Sequence, residues 1–106
     1  MRLKDAEIIG IVNGIEPFIT AGPVDLRLYG SRIDDKKKGG DIDLLLIVPV
    51  GVKNHMKEIK HKILTEIKKN IGERRIDLLI SDALSVESDP FIALVFPSSI
   101  SLKVWE

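Results

Sequence analysis

The chain has 106 residues, with 16 Lys plus Arg against 16 Asp plus Glu and no formal net charge; that length suits one domain, residues 1–106, and the balance lacks the cation surplus a duplex-DNA binder uses to displace counterions from phosphate. Hydrophobic residues make up 44% and charged residues 30%, a globular mixture, and area scaling gives roughly 6,000 Å² of folded surface against about 17,000 Å² unfolded, enough burial for a core. There is no cysteine, which excludes disulfides, thiolate metal sites and thiol catalysis, while the lack of a signal-peptide core or of an apolar run near the roughly 20 residues of a membrane span makes a cytoplasmic protein the expectation.

In chain order, Asp5 to about Phe18 carries Ile8, Ile9, Val12, Ile15 and Ile19 at helical spacing. This predicts an amphipathic helix, weakened by Gly10 and Gly14 and ended near Pro17. Val24 to Tyr29 follows Pro23 and alternates Val24, Leu26 and Leu28 against Asp25, Arg27 and Tyr29, which reads as a half-buried strand. Gly30 to Gly40 is a polar loop containing Lys36-Lys37-Lys38. From Asp41 the run DIDLLLIV, bounded by Gly40 and Pro49, is apolar on both faces and reads as a central strand. Val52, Met56, Ile59, Ile63, Ile67 and Ile71 recur at steps of three or four, with Gly72 as the stop, predicting one long helix.

Arg75 to Ile80 is a third strand, and Ser88-Asp89-Pro90 caps a short helix through about Phe96. Ile100 to Trp105 alternates again and reads as an edge strand, whose free side permits a homo-oligomer. The fold class expected is α/β, a small mixed sheet of about four strands with helices packed on it.

Asp41 and Asp43 stand two apart at the start of the most apolar strand, so both side chains leave one face. Asp77 matches them, because Ile76-Asp77-Leu78-Leu79 repeats the pattern of Ile42-Asp43-Leu44-Leu45. If the two strands are neighbours with those ends aligned, three carboxylates converge on one patch. One Asp at a strand start is ordinarily solvated or caps a turn. Three together repel each other and resist burial, a penalty that a divalent cation removes, and oxygen ligands select Mg²⁺ or Mn²⁺. His55 and His61 are six apart in the long helix, about 240° around it, and cannot share a ligand. Before the pair comes Gly30-Ser31-Arg32, a turn whose backbone N–H groups and hydroxyl can approach phosphate oxygens.

Tyr29-Gly30-Ser31-Arg32, Gly39-Gly40-Asp41-Ile42-Asp43-Leu44 and Ile76-Asp77-Leu78 together resemble the nucleotidyltransferase superfamily related to DNA polymerase beta. The closest group is its small bacterial and archaeal minimal nucleotidyltransferases. The resemblance covers nearly the whole chain and implies a polymerase beta palm-like fold. It also implies transfer of a nucleoside monophosphate, AMP from ATP first among them, to an acceptor hydroxyl, with pyrophosphate leaving. On that resemblance Asp41 and Asp43 hold two Mg²⁺ ions, with Mn²⁺ as a substitute. Asp77 ligates the second ion and accepts the acceptor's proton, and Gly30, Ser31 and Arg32 bind the nucleotide's phosphates. Family members commonly carry Ser where this chain has Gly40, a departure that removes one hydrogen bond but no metal ligand.

Minimal members resemble antitoxins that pair with a helical HEPN-type RNase toxin and add AMP to one of its tyrosines. Such a partner would complete a site for which 106 residues leave no second substrate domain. An alternative of a different class is a catalytically weak binding module that sequesters the helical partner, a reading prompted by Gly40 and by Ile33-Asp34-Asp35 in the loop. An aminoglycoside acceptor ranks lower, since those enzymes carry an additional drug-binding domain. A polymerase ranks lowest, since the chain offers no basic nucleic-acid track.

Overall fold

The computed structural model describes residues 3–30 and 41–106; Ser31, Arg32, Lys36 to Lys38 and Gly40 lie outside them. Helix α1 (Asp5–Ile15) opens with Glu7 accepting the Lys4 backbone N–H at 3.0 Å, which satisfies a donor the helix itself cannot. It tightens into one 3-10 turn, Glu16–Phe18, where Pro17 stops the regular ladder. Gly10 and Gly14 are both buried.

Strands β1 (Val24–Tyr29) and β2 (Ile42–Val48) occupy the stretches their patterns predict. They run antiparallel, β3 (Ile76–Asp82) joins β2 in parallel, and β4 (Ile100–Trp105) lies antiparallel on the far side of β1. The order β3-β2-β1-β4 makes a mixed four-stranded sheet with helices, the expected α/β class. The all-apolar run thus sits inside the sheet, and the alternating C-terminal strand is at its edge, as its polar positions require.

Period-two alternation divides the sheet into two unequal layers. One face carries Leu26, Leu28, Ile42, Leu44, Leu46, Leu78 and Ile80, and it packs with Ile11 and Ile15 of α1 and with Ile63 and Ile67 to form the main core. The other face holds a smaller cluster around Tyr29, Leu45 and Ile92. Here the half-buried expectation for β1 is too exposed. Tyr29 is only 6% accessible, and Arg27 is folded over: its Nε donates to Ser99 Oγ at 2.6 Å, one Nη to Asp25 at 2.8 Å, and its guanidinium lies 4.4 Å from the Phe96 ring centre.

The single long helix expected after Pro49 is two. Helix α2 (Lys53–Glu58) and helix α3 (Lys60–Ile71) meet at Ile59, whose φ of −97° and ψ of 11° interrupt the ladder. No Gly or Pro causes the break. The two segments pack on different partners, α2 against β3 and α3 along α1, so one straight cylinder cannot serve both. Gly72, at φ 91°, ends α3 as expected.

After β3 comes a helix the sequence reading passes over, α4 (Ala83–Ser88), capped by Asp82, whose carboxylate accepts the Ser85 N–H at 2.9 Å. The expected cap at Asp89 does start α5 (Pro90–Val95), accepting the Phe91 N–H at 2.9 Å. Together α4 and α5 cover part of the sheet's second face. Among the described residues no helix is long and apolar enough to cross a membrane.

Candidate functional site

The register places three residues in one row across three strands. Tyr29 of β1 is the partner of Asp43 on β2, and Asp43 is the partner of Asp77 on β3. All three belong to the second face of the sheet, since the Leu28, Ile42, Leu44 and Leu78 positions that alternate with them enter the main core. The condition under which the sequence motifs converge, neighbouring strands with their Ile-Asp-Leu-Leu segments aligned, is therefore met for Asp43 and Asp77. They are adjacent parallel-strand residues, Asp43 half-buried and Asp77 exposed.

Asp41 lies one residue ahead of β2 and is exposed. Its carboxylate stands 3.9 Å from Arg75 Nε, with side chains 53% and 85% accessible, so water screens the pair and it holds neither group firmly. The Ile42 N–H donates to the Arg75 carbonyl at 2.9 Å, which extends the strand ladder and keeps these two ends side by side. The structure brings Asp43 and Asp77 together but does not add Asp41 to form a tight triad. Among the described residues no three His, Asp or Glu side chains gather closely enough to hold a metal ion.

Gly30, directly after β1, has φ 79°, a conformation that L side chains rarely adopt. Its lack of a side chain matters a second time. A Cβ there would collide with the Asp43 carboxylate, lying 3.2 Å from Cγ. Bare backbone lies against a carboxylate there, in a cradle one methyl group would fill. Ser31 and Arg32, the remaining phosphate-binding expectations, lie outside the described residues.

Tyr29 is the site residue that the sequence reading missed. Burial, then the charges of Asp77 and Asp43, push its phenol up to about 12, so it is a permanent donor at neutral pH. Its ring meets Phe91 edge to face, with centroids 6.0 Å apart and planes at 77°. The available signal was an aromatic residue ending an alternating strand on its polar side, just before a glycine. That signal becomes specific only once Asp43 is known to be its cross-strand partner.

The donor set suits one class of ion. Two carboxylates side by side, no thiolate and no nearby imidazole favour a hard divalent cation, and Mg²⁺ typically takes one or two carboxylates and completes its shell with water and substrate phosphate. Asp43 and Asp77 fit that pattern; they do not make an all-protein cage. No family model, curated protein or solved structure matches this chain.

Proposed function

We propose that this chain is a Mg²⁺-dependent nucleotidyltransferase with the polymerase beta palm-like fold, which moves a nucleoside monophosphate from a nucleoside triphosphate, ATP first, to an acceptor hydroxyl. The observation that carries the reading is the alignment of Asp43 with Asp77 on parallel neighbours, beside a glycine whose bare backbone lies close against the Asp43 carboxylate. A protein without use for it has no reason to set two acids adjacent on a sheet. The parallel register supports the reading through Asp43 and Asp77, which it makes neighbours.

Asp43 and Asp77 would hold the cation, with Asp41 joining from the strand's lip. The ion supplies charge neutralisation on the triphosphate and activation of the attacking hydroxyl. Gly30 would present its backbone N–H to the β- and γ-phosphates, and Ser31 is the second residue the sequence motif assigns to them. Asp77, the more accessible acid, takes the acceptor's proton as the new O–P bond forms at the α-phosphorus and the bond to pyrophosphate breaks. Tyr29 stays protonated and closes one side of the site with its buried ring.

A binding role for the same chain draws on Leu84, Phe91 and Leu94, which are 69%, 50% and 73% accessible. These large apolar side chains lie on the two helices over the second face, and a helical partner would cover them.

The deciding experiment incubates the protein with α-labelled ATP, Mg²⁺ and a lysate of its own host. The expected outcome is a labelled acceptor that disappears with Asp43→Asn or Asp77→Asn while both variants keep wild-type circular dichroism. Equal labelling by wild type and both variants would sink the enzyme reading. Capture of a partner by the Asp41/Asp43/Asp77 triple Asn variant, with neutralisation of that partner intact, would favour the binding role.

A further inference from the structure

We propose that Phe91 is the stacking platform for the nucleobase: its ring, held in the first turn of α5 beside the Asp43 end of the sheet, takes the base of the nucleotide whose phosphates the acids' cation would grip. The inference rests on the reading of Asp43 and Asp77 as the cation site of a nucleotidyltransferase, and it adds the group that recognises the substrate as a nucleotide.

Three observations place the ring. Pro90 and the cap at Asp89, which accepts the Phe91 N–H at 2.9 Å and the Ile92 N–H at 3.4 Å, fix the first turn of α5. Ile92 is buried in the cluster with Tyr29 and Leu45, so α5 is anchored on the second face by the residue after Phe91. Phe91 itself meets Tyr29 edge to face at 6.0 Å. Tyr29 is the cross-strand partner of Asp43, and the Cβ atoms of such a pair lie about 4.5–5.5 Å apart. One side chain therefore separates the Phe91 ring from the acid that would hold the cation.

A perpendicular contact sets the plane of a ring without covering both of its faces, and Phe91 stays 50% accessible. Phe18, Tyr29, Phe96 and Trp105 are buried or half-buried, so among the described residues Phe91 is the one aromatic side chain left exposed. Leu84 and Leu94, on the same two helices, are exposed as well, but they carry no π face. Stacking tolerates any base, because each has a π face. The ring thus selects a nucleotide over bare triphosphate without choosing among bases.

The test measures binding by isothermal titration calorimetry in Mg²⁺ with two ligands: α,β-methylene ATP, which cannot release pyrophosphate, and inorganic triphosphate, which has no base. Replacing a stacking aromatic by alanine weakens binding by roughly 5- to 150-fold, and a half-exposed ring belongs near the low end. Phe91→Leu, which keeps an apolar side chain but no ring, is expected to weaken α,β-methylene ATP about tenfold and to leave triphosphate unchanged. Phe91→Trp should bind the nucleotide at least as tightly as wild type. Thermal midpoints of both variants should stay close to wild type, since Ile92 anchors α5. Wild-type affinity for the nucleotide in Phe91→Leu overturns the proposal, and so does an equal loss for triphosphate, which would assign the ring a packing role alone. A wild type that binds triphosphate as tightly as the nucleotide also overturns it, while leaving the cation site in place. A wild type that binds neither ligand overturns the nucleotidyltransferase reading itself, and the stacking role with it.

Discussion

Asp43 and Asp77 are register partners on parallel strands, two carboxylates side by side on one face of a four-stranded sheet. Such like-charge neighbours oppose folding. In Asp77→Asn the repulsion is gone. Its thermal midpoint in EDTA should therefore exceed that of wild type, by roughly 2–4 °C for about 0.5 kcal/mol in a domain of this size. The low end of the range applies because Asp77 is exposed and water screens it. Mg²⁺ should reverse the ranking, since it stabilises only the protein that binds it. Calorimetry with and without Mg²⁺ checks both signs; a variant less stable than wild type in EDTA would mean that the pair is not repulsive.

Gly30→Ala tests the cradle. The substitution places a Cβ at φ 79° and drives it into the Asp43 carboxylate. The left-handed conformation alone costs about 1–2 kcal/mol. The displaced carboxylate should also abolish the stabilisation by Mg²⁺, whereas an alanine at Gly51, where a Cβ meets nothing within 4 Å, should leave it unchanged. Thermal shift at several Mg²⁺ concentrations separates the strain, which is metal-independent, from the lost binding.

Much of this was legible in the chain because the deciding patterns are local. The eight-residue run DIDLLLIV fits an inner strand better than a helix, and its echo at Ile76 to Leu79 names the alignment under which the two strands' acids would meet, which the parallel register meets for Asp43 and Asp77. What stayed hidden depends on tertiary packing. The break at Ile59 leaves no mark in a periodicity that runs unbroken from Val52 to Ile71, because it answers to two different packing partners. Helix α4 is only six residues long, too short for a period, and its sole signal is Asp82 three residues before Ser85. Tyr29 looked like a solvent-facing residue until α5 was found over it. Asp41 looked equivalent to Asp43, and its place outside the ladder is what separates them.

Gly14 makes the same point through packing. In sequence it reads as a weak spot in a helix; in the fold it is where α1 and α3 touch. A Cβ there would lie 2.9 Å from both the backbone nitrogen and the Cα of Ile67, and backbone in a buried helix cannot step aside cheaply. Gly14→Ala should therefore destabilise by about 1–3 kcal/mol, although alanine is the better helix former by nearly 1 kcal/mol. Urea unfolding followed by the fluorescence of Trp105, the one tryptophan, measures it. A stabilised variant would show that propensity wins over contact.

Asp82 carries the pH dependence that the fold makes visible. The Ser85 backbone N–H lowers its pKa most. Burial opposes this, but the Ser85 hydroxyl, Lys53 and the Leu84 N–H add to the lowering and hold the carboxyl below its ordinary 3.8; Lys53 Nζ stands 3.7 Å away. A carboxyl whose pKa is lower folded than unfolded contributes stability that is present above 3.8 and is lost as pH falls from there through the folded value. Asp82→Asn keeps an oxygen to cap α4 and removes the charge. The variant should have a lower urea midpoint than wild type at pH 7, and the gap should close as pH falls from 3.8 through the lower folded value, where folded wild type becomes protonated too. Midpoints read from Trp105 fluorescence at a series of pH values decide it, and a gap that stays constant down to pH 3 would show that the loss comes from altered packing rather than from the charge.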